Sequence, residues 1–190
     1  MISKKFLAAL KVEYKDGESV RRQINSHSNN ILFEAKKIGF ALHRGDIKDS
    51  GKRLEALEED LKKLANNFGV ASLDEQGPYR AAAEEYVEAK FLYFVLSGQK
   101  LDKIKGLKLD NVAYLGGICD MTGELIRYAT NQAAAGKFIK VKEVKEIIND
   151  IMAELTDFDM TGYLRTKYDQ ARGNLRRIEQ MDYEIQLRNK

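Results

Sequence analysis

Hydrophobic residues recur every three or four positions along nearly the whole chain of 190 residues, the period of an α-helix and not of a strand. The first stretch, roughly 3–44, carries Phe6, Leu10, Ile24, Ile31, Ala35, Ile38 and Leu42, with Asp16-Gly17 as a place for a kink or division. His43-Arg44-Gly45-Asp46 reads as a helix end followed by a new cap. A second helix over about 47–67 has Leu54, Leu57, Leu61 and Leu64 at packing spacing, and Asn66-Asn67-Phe68-Gly69 ends it. A loop is expected next. Gly77-Pro78 then opens a third helix, about 78–98, closed by Ser97-Gly98. A fourth runs from Leu109-Asp110-Asn111 to about 135, stopped by Ala135-Gly136, and two more are expected near 141–157 and 161–188. No stretch alternates like a strand, and no linker divides the chain. The expectation is all-α: one domain over 1–190, an antiparallel bundle of six or seven helices.

Composition supports this picture. The single proline, Pro78, leaves little to interrupt a helix. Hydrophobic residues make up 44% of the chain, enough to build a core despite 32% charged residues. A net charge of +3 leaves room for nucleic-acid binding only if basic residues cluster. The lone Cys119, between apolar neighbours Ile118 and Met121, excludes an internal disulfide and suits a buried thiol in a reducing compartment. The apolar run after Lys5 is too short for a secretory signal, and no segment approaches a membrane span. A soluble, cytoplasmic protein is expected.

Two pairs of acids stand out. Glu85 and Glu88 share one helical face, as do Asp120 and Glu124. On a helical wheel Glu85 and Glu88 fall among Ala81, Leu92, Val95 and Leu96, where hydrocarbon is normal and a lone carboxylate is costly. Ion pairing with an arginine or a favourable helix dipole is the ordinary account of such residues. Asp120 and Glu124 continue a polar stripe with Arg127 and Asn131, which reads equally as a solvated face. Beside that stripe lie Gly116, Gly117 and Gly123, each costing roughly 1 kcal/mol in a helix. Small residues there suggest the close approach of another helix, a metal or a substrate backbone. Two acidic faces turned towards each other could hold a hard divalent cation through oxygen.

The run Tyr114-Leu115-Gly116-Gly117-Ile118-Cys119-Asp120-Met121-Thr122-Gly123-Glu124-Leu125-Ile126-Arg127 resembles the translin family, and is more similar to its translin-associated factor X branch than to translin itself. Glu85-Tyr86-Val87-Glu88-Ala89 upstream, Asn131, Ala135-Gly136 and the closing stretch around Arg165-Thr166-Lys167-Tyr168-Asp169 and Arg177-Ile178-Glu179 fit the same pattern. The resemblance is strongest from about 78 to the end. It implies an all-helical fold, hollow octamer-like shells, single-stranded RNA and DNA as ligands, and a Mg²⁺-dependent endoribonuclease in the branch that keeps the acids. Carried over by motif, Glu85, Glu88 and Asp120 are the expected catalytic metal ligands, assisted by Glu124. The chain departs from the eukaryotic pattern in lacking a basic nuclear-targeting segment, and a homo-oligomer is expected.

The chemistry so implied is phosphodiester hydrolysis with Mg²⁺ or Mn²⁺ as cofactor. Arg21, Arg22, Lys36, Lys37 and Arg44 are candidate phosphate contacts, with an ordinary solvated face as the alternative. Tyr79 is a candidate for base stacking or for the core. A di-iron bundle needs Glu-x-x-His twice, but His27 and His43 follow Ile24 and Phe40 at that spacing. No nucleophilic triad and no P-loop motif is evident. The remaining alternatives are a non-catalytic shell that binds single-stranded RNA or DNA, and a scaffold that only assembles.

Overall fold

The computed structural model describes residues 2–188; residue 1 and residues 189–190 of the expected domain span lie outside the described residues. Seven helices follow in order among them: α1 Lys4–His43, α2 Ile47–Phe68, α3 Val70–Asp74, α4 Gly77–Leu96, α5 Asn111–Ala134, α6 Ile139–Leu155 and α7 Gly162–Arg188. No described residue lies in a strand. The end signals act as their chemistry requires. Gly45, Gly69, Gly98 and Gly136 take positive φ at helix ends, where a side chain would strain the backbone. Asp46 and Asp110 cap α2 and α5 by accepting the Asp49 and Ala113 backbone N–H groups.

Two expectations need correction. The Asp16-Gly17 step does not divide α1, which is continuous for 40 residues. One glycine costs too little to break a helix of that length. The stretch after Gly69 is not all loop, since a single helical turn, α3, buries Leu73 there. The connection over 97–110 falls where the helix-end signals place it, and it tucks Ile104 and Leu107 against the core.

Helix α1 is a heptad-like seam: Ile24, Ser28, Ile31, Ala35, Ile38 and Leu42 are all buried. They meet α4 and the Leu54, Leu57, Leu61 and Leu64 stripe of α2. Helix α4 is the central rod, packed on α1, α2 and α5, and α5 in turn carries α6 and α7. The short α1–α2, α5–α6 and α6–α7 connections make those neighbours antiparallel. Phe6 and Leu10 do not join the core, because α1 runs past its neighbours and leaves both more than 45% exposed. Tyr79 does, at 3% exposure, so it is not a stacking platform. Cys119 is a buried free thiol, pushed up to about 12 by that burial.

Candidate functional site

Close packing of α4 on α5 builds the site. A Cβ on Gly116 would collide with the Glu84 carboxylate, and one on Gly117 would lie 2.7 Å from Val87 Cγ1. These glycines therefore admit another helix, one of the readings their spacing left open. Gly123 is different: its nearest neighbour, Asn174 Nδ2, stands at an ordinary 3.5 Å.

Glu85, Glu88 and Glu124 line one cleft of about 210 Å³ between α1, α4 and α5. Lys36, Phe40 and Arg127 stand at its exposed side, and Ala35, Gly39 and Leu92 line it further. Asp120, one turn before Glu124, turns from this cleft towards α7 and ion-pairs with Lys167. Its charge is still felt at Glu88. The four acids expected from sequence thus converge on one α4–α5 face but divide between two settings.

Their partners differ. Glu85 pairs loosely with Lys36 at 3.8 Å, and burial raises its carboxyl above the ordinary range against the pull of that lysine. Glu124 accepts from His43 Nε2 and faces Arg127 at 3.6 Å. The His43 hydrogen bond holds its carboxyl below the ordinary range despite burial. Asp120 is raised, first by burial, with Lys167 opposing. Glu88 has no hydrogen-bond or ion-pair partner among the described residues. Burial, then the charges of Glu85, Asp120 and Glu124, push it up to about 8.

Sequence reasoning missed three participants. Glu84 is the most deeply buried acid of α4 at 8% exposure, whereas Glu85 and Glu88 lie on a half-buried flank and not in the core stripe. Ala81, placed with them on the wheel, is exposed. Glu84 accepts from Tyr163 Oη at 2.6 Å and from Lys167 Nζ at 2.8 Å. The signal for it was Gly116, the only residue type that leaves room for that carboxylate. His43 and Lys167 carried no local signal, being 81 and 47 positions from the acids they meet.

The oxygen-only donor set suits a hard cation in kind, and a half-buried carboxylate without a partner is the feature such an ion would satisfy. As placed, no three His, Cys, Asp or Glu side chains among the described residues are gathered closely enough to hold a metal. Asp120 and Glu124 are engaged by Lys167 and His43 instead.

The five basic candidates do not form one patch. Arg21 and Arg22 lie on the exposed half of α1, bound to Glu18. They stand about 20 Å from Lys36 along the helix axis, at 1.5 Å per residue. Lys37 pairs with Glu34 at 2.7 Å and covers the Phe33 ring. Arg44 is exposed at the end of α1. Only Lys36 reaches the acidic cleft, where the structure adds Arg127. Among the described residues no helix is long and apolar enough to cross a membrane.

A profile of the translin family matches residues 19–189. Translin of Gallus gallus is 27% identical over 92 residues, covering 48% of this chain and 40% of that protein. The translin-associated protein X homolog of Schizosaccharomyces pombe is 26% identical, covering 60% of this chain and 56% of that protein. The chain thus aligns with less than half the length of the first relative and little more than half of the second. Among solved structures, apo-NeC3PO superposes with a TM-score of 0.84 at 23% identity, covering 96% of this chain and 97% of the other. An AfC3PO–duplex RNA complex gives 0.81 at 23% identity, covering 95% and 96%. At that identity the likeness speaks for the fold.

Proposed function

The chain belongs to the translin family, and from that premise we propose that it is a Mg²⁺-dependent endoribonuclease acting on single-stranded RNA, built as one translin-like helical domain. The observation that carries the proposal is Glu88. A half-buried carboxylate with no partner among the described residues, lining a cleft with Glu85 and Glu124 and feeling the charge of Asp120, is costly to keep unless something binds there.

Glu85, Glu88, Asp120 and Glu124 would hold the ion. Mg²⁺ or Mn²⁺ so held would supply charge stabilisation at the phosphate and a more acidic water. The chain's own part is binding and proton handling. Lys36 and Arg127 at the cleft rim suit phosphate oxygens, which positions a strand without reading its sequence. Glu88 holds a proton on its carboxyl near neutral pH and releases it when a cation arrives. His43, buried behind Glu124, fixes that carboxylate's orientation through Nε2.

RNA as ligand draws support from AfC3PO, described with duplex RNA; single-stranded DNA is a second candidate ligand. A homo-oligomeric, octamer-like shell is part of the same proposal. Its support is the apolar stripe Phe6, Leu7, Leu10 and Tyr14, which none of the described residues covers. A cytoplasmic site of action fits the buried free thiol.

The second reading, a non-catalytic RNA- or DNA-binding shell, is favoured by the engagement of Asp120 with Lys167 and of Glu124 with His43. Incubation of labelled single-stranded and duplex RNA with the protein in Mg²⁺, Mn²⁺ or EDTA separates the two. Cleavage that needs the metal and disappears in Glu88→Ala and Asp120→Ala is the expected result. Strands that bind yet stay intact with every divalent ion would establish the binder.

A further inference from the structure

Lys167 is shared by two acids, Glu84 of α4 and Asp120 of α5. Its Nζ lies 2.8 Å from Glu84 Oε1 and also ion-pairs with Asp120. Glu84 Oε1 has a second donor in Tyr163 Oη at 2.6 Å, and the ammonium sits 5.3 Å from the centre of the Tyr163 ring. The clasp joins α4, α5 and α7, with the Lys167 side chain only 18% exposed. A tie between helices needs one carboxylate for one ammonium. Here there are two, and they are not equivalent. Glu84 is the more enclosed, at 11% side-chain exposure against 26% for Asp120, and it keeps the tyrosine hydroxyl whether or not Lys167 stays on Asp120.

We infer that Lys167 is an internal stand-in for the divalent ion: it occupies Asp120 while the site is empty and withdraws onto Glu84 and Tyr163 when a cation takes Asp120. The inference rests on the metal-site reading above. Its physical basis is competition. Ammonium and divalent ion seek the same carboxylate, and two cations this close repel strongly in a half-buried setting. Glu84 makes the exchange possible, because it prevents the displaced ammonium from being left buried and unpaired. The device would raise the cation concentration needed for activity and hold Asp120 in place between turnovers. Lys167 is thus a positioning residue.

The test measures Mn²⁺ binding to the full chain directly, by calorimetry and by the spin signal of free Mn²⁺. Lys167→Gln should bind Mn²⁺ at least about tenfold more tightly than wild type, since the competitor is gone. Lys167→Arg should stay within about threefold of wild type. Glu84→Gln should bind more weakly, because Lys167 then has only Asp120. A merely structural lysine would give the opposite sign for Lys167→Gln. A second measurement needs no variant. An amine-acetylating reagent, with modified peptides quantified by mass, should label Lys167 of the wild-type protein several-fold faster in saturating Mn²⁺ than in EDTA, with Lys62 as internal reference. Unchanged or slower labelling would overturn the inference, as would equal or weaker Mn²⁺ binding by Lys167→Gln, and either would leave the nuclease proposal standing. If wild type takes up no Mn²⁺ at all, both readings fall together.

Discussion

Replacing Glu88 with glutamine should make the metal-free protein more stable, and by an amount that depends on pH in a definite direction. The group titrates at about 8 in the folded chain against an ordinary 4.5. A raised carboxyl means that the folded state keeps a proton that the unfolded chain has already lost. Below about pH 4.5 both states are protonated and Glu88 costs nothing. Between there and about 8 stability falls with rising pH, and above 8 the penalty levels off. Carried to pH 7, the difference amounts to roughly 3 kcal/mol as an order of magnitude, at 1.36 kcal/mol per pKa unit. Glutamine has the same shape and no charge to desolvate. The assay is urea unfolding in EDTA at pH 5, 6, 7 and 8, wild type against Glu88→Gln. The gap should be small at pH 5 and should widen to between about 1 and 3 kcal/mol at pH 7. A gap that stays constant across this range would refute the placement of Glu88 as a buried, unpartnered carboxyl beside other acids. Saturating Mg²⁺ should reverse the order, since only wild type gains the bound ion.

Gly116→Ala should lose about 1–3 kcal/mol in the same unfolding assay, because its methyl strikes the Glu84 carboxylate. Gly123→Ala should instead gain up to about 1 kcal/mol, its methyl meeting only ordinary contact. Equal effects at the two positions would mean that α4 and α5 are not packed as described. Glu124, held below the ordinary range by His43, contributes stability that is present above that range and lost as pH falls through its depressed value. Glu124→Gln should therefore be less stable than wild type at pH 6 and no longer so at pH 3, read by thermal melting. Lys36→Ala and Arg127→Ala should each weaken RNA binding and lower its logarithmic salt slope by about 0.7. Fluorescence anisotropy across a KCl series measures this, and unaltered slopes would remove these two residues from the phosphate path.

The helices themselves were readable from local rules. Leucines at 54, 57, 61 and 64, glycines at 45, 69, 98 and 136 and the Asp46 and Asp110 caps all act through neighbours within a turn or two, so their spacing along the chain suffices. The acids at 85, 88, 120 and 124 were visible for the same reason, each pair lying on one helix face. What each acid faces was not visible. Glu84 lies one residue from Glu85, yet it is buried against Gly116 while Glu85 lines a cleft, because a 100° step along a helix is enough to change a side chain's surroundings. The exposure of Phe6 and Leu10 likewise depends on where α1 outruns its neighbours and not on its own periodicity.

Helix period, capping and the two acidic faces were therefore determined by the amino-acid sequence alone, since they rest on interactions a few residues apart. Only the tertiary structure decided that Lys167 from α7 pairs with both Asp120 and Glu84, that His43 from α1 claims Glu124, and that Glu88 is left without a partner among the described residues. Those outcomes depend on which rods meet and how closely, and electrostatic environment follows distance in space, to which separation along a chain is no guide.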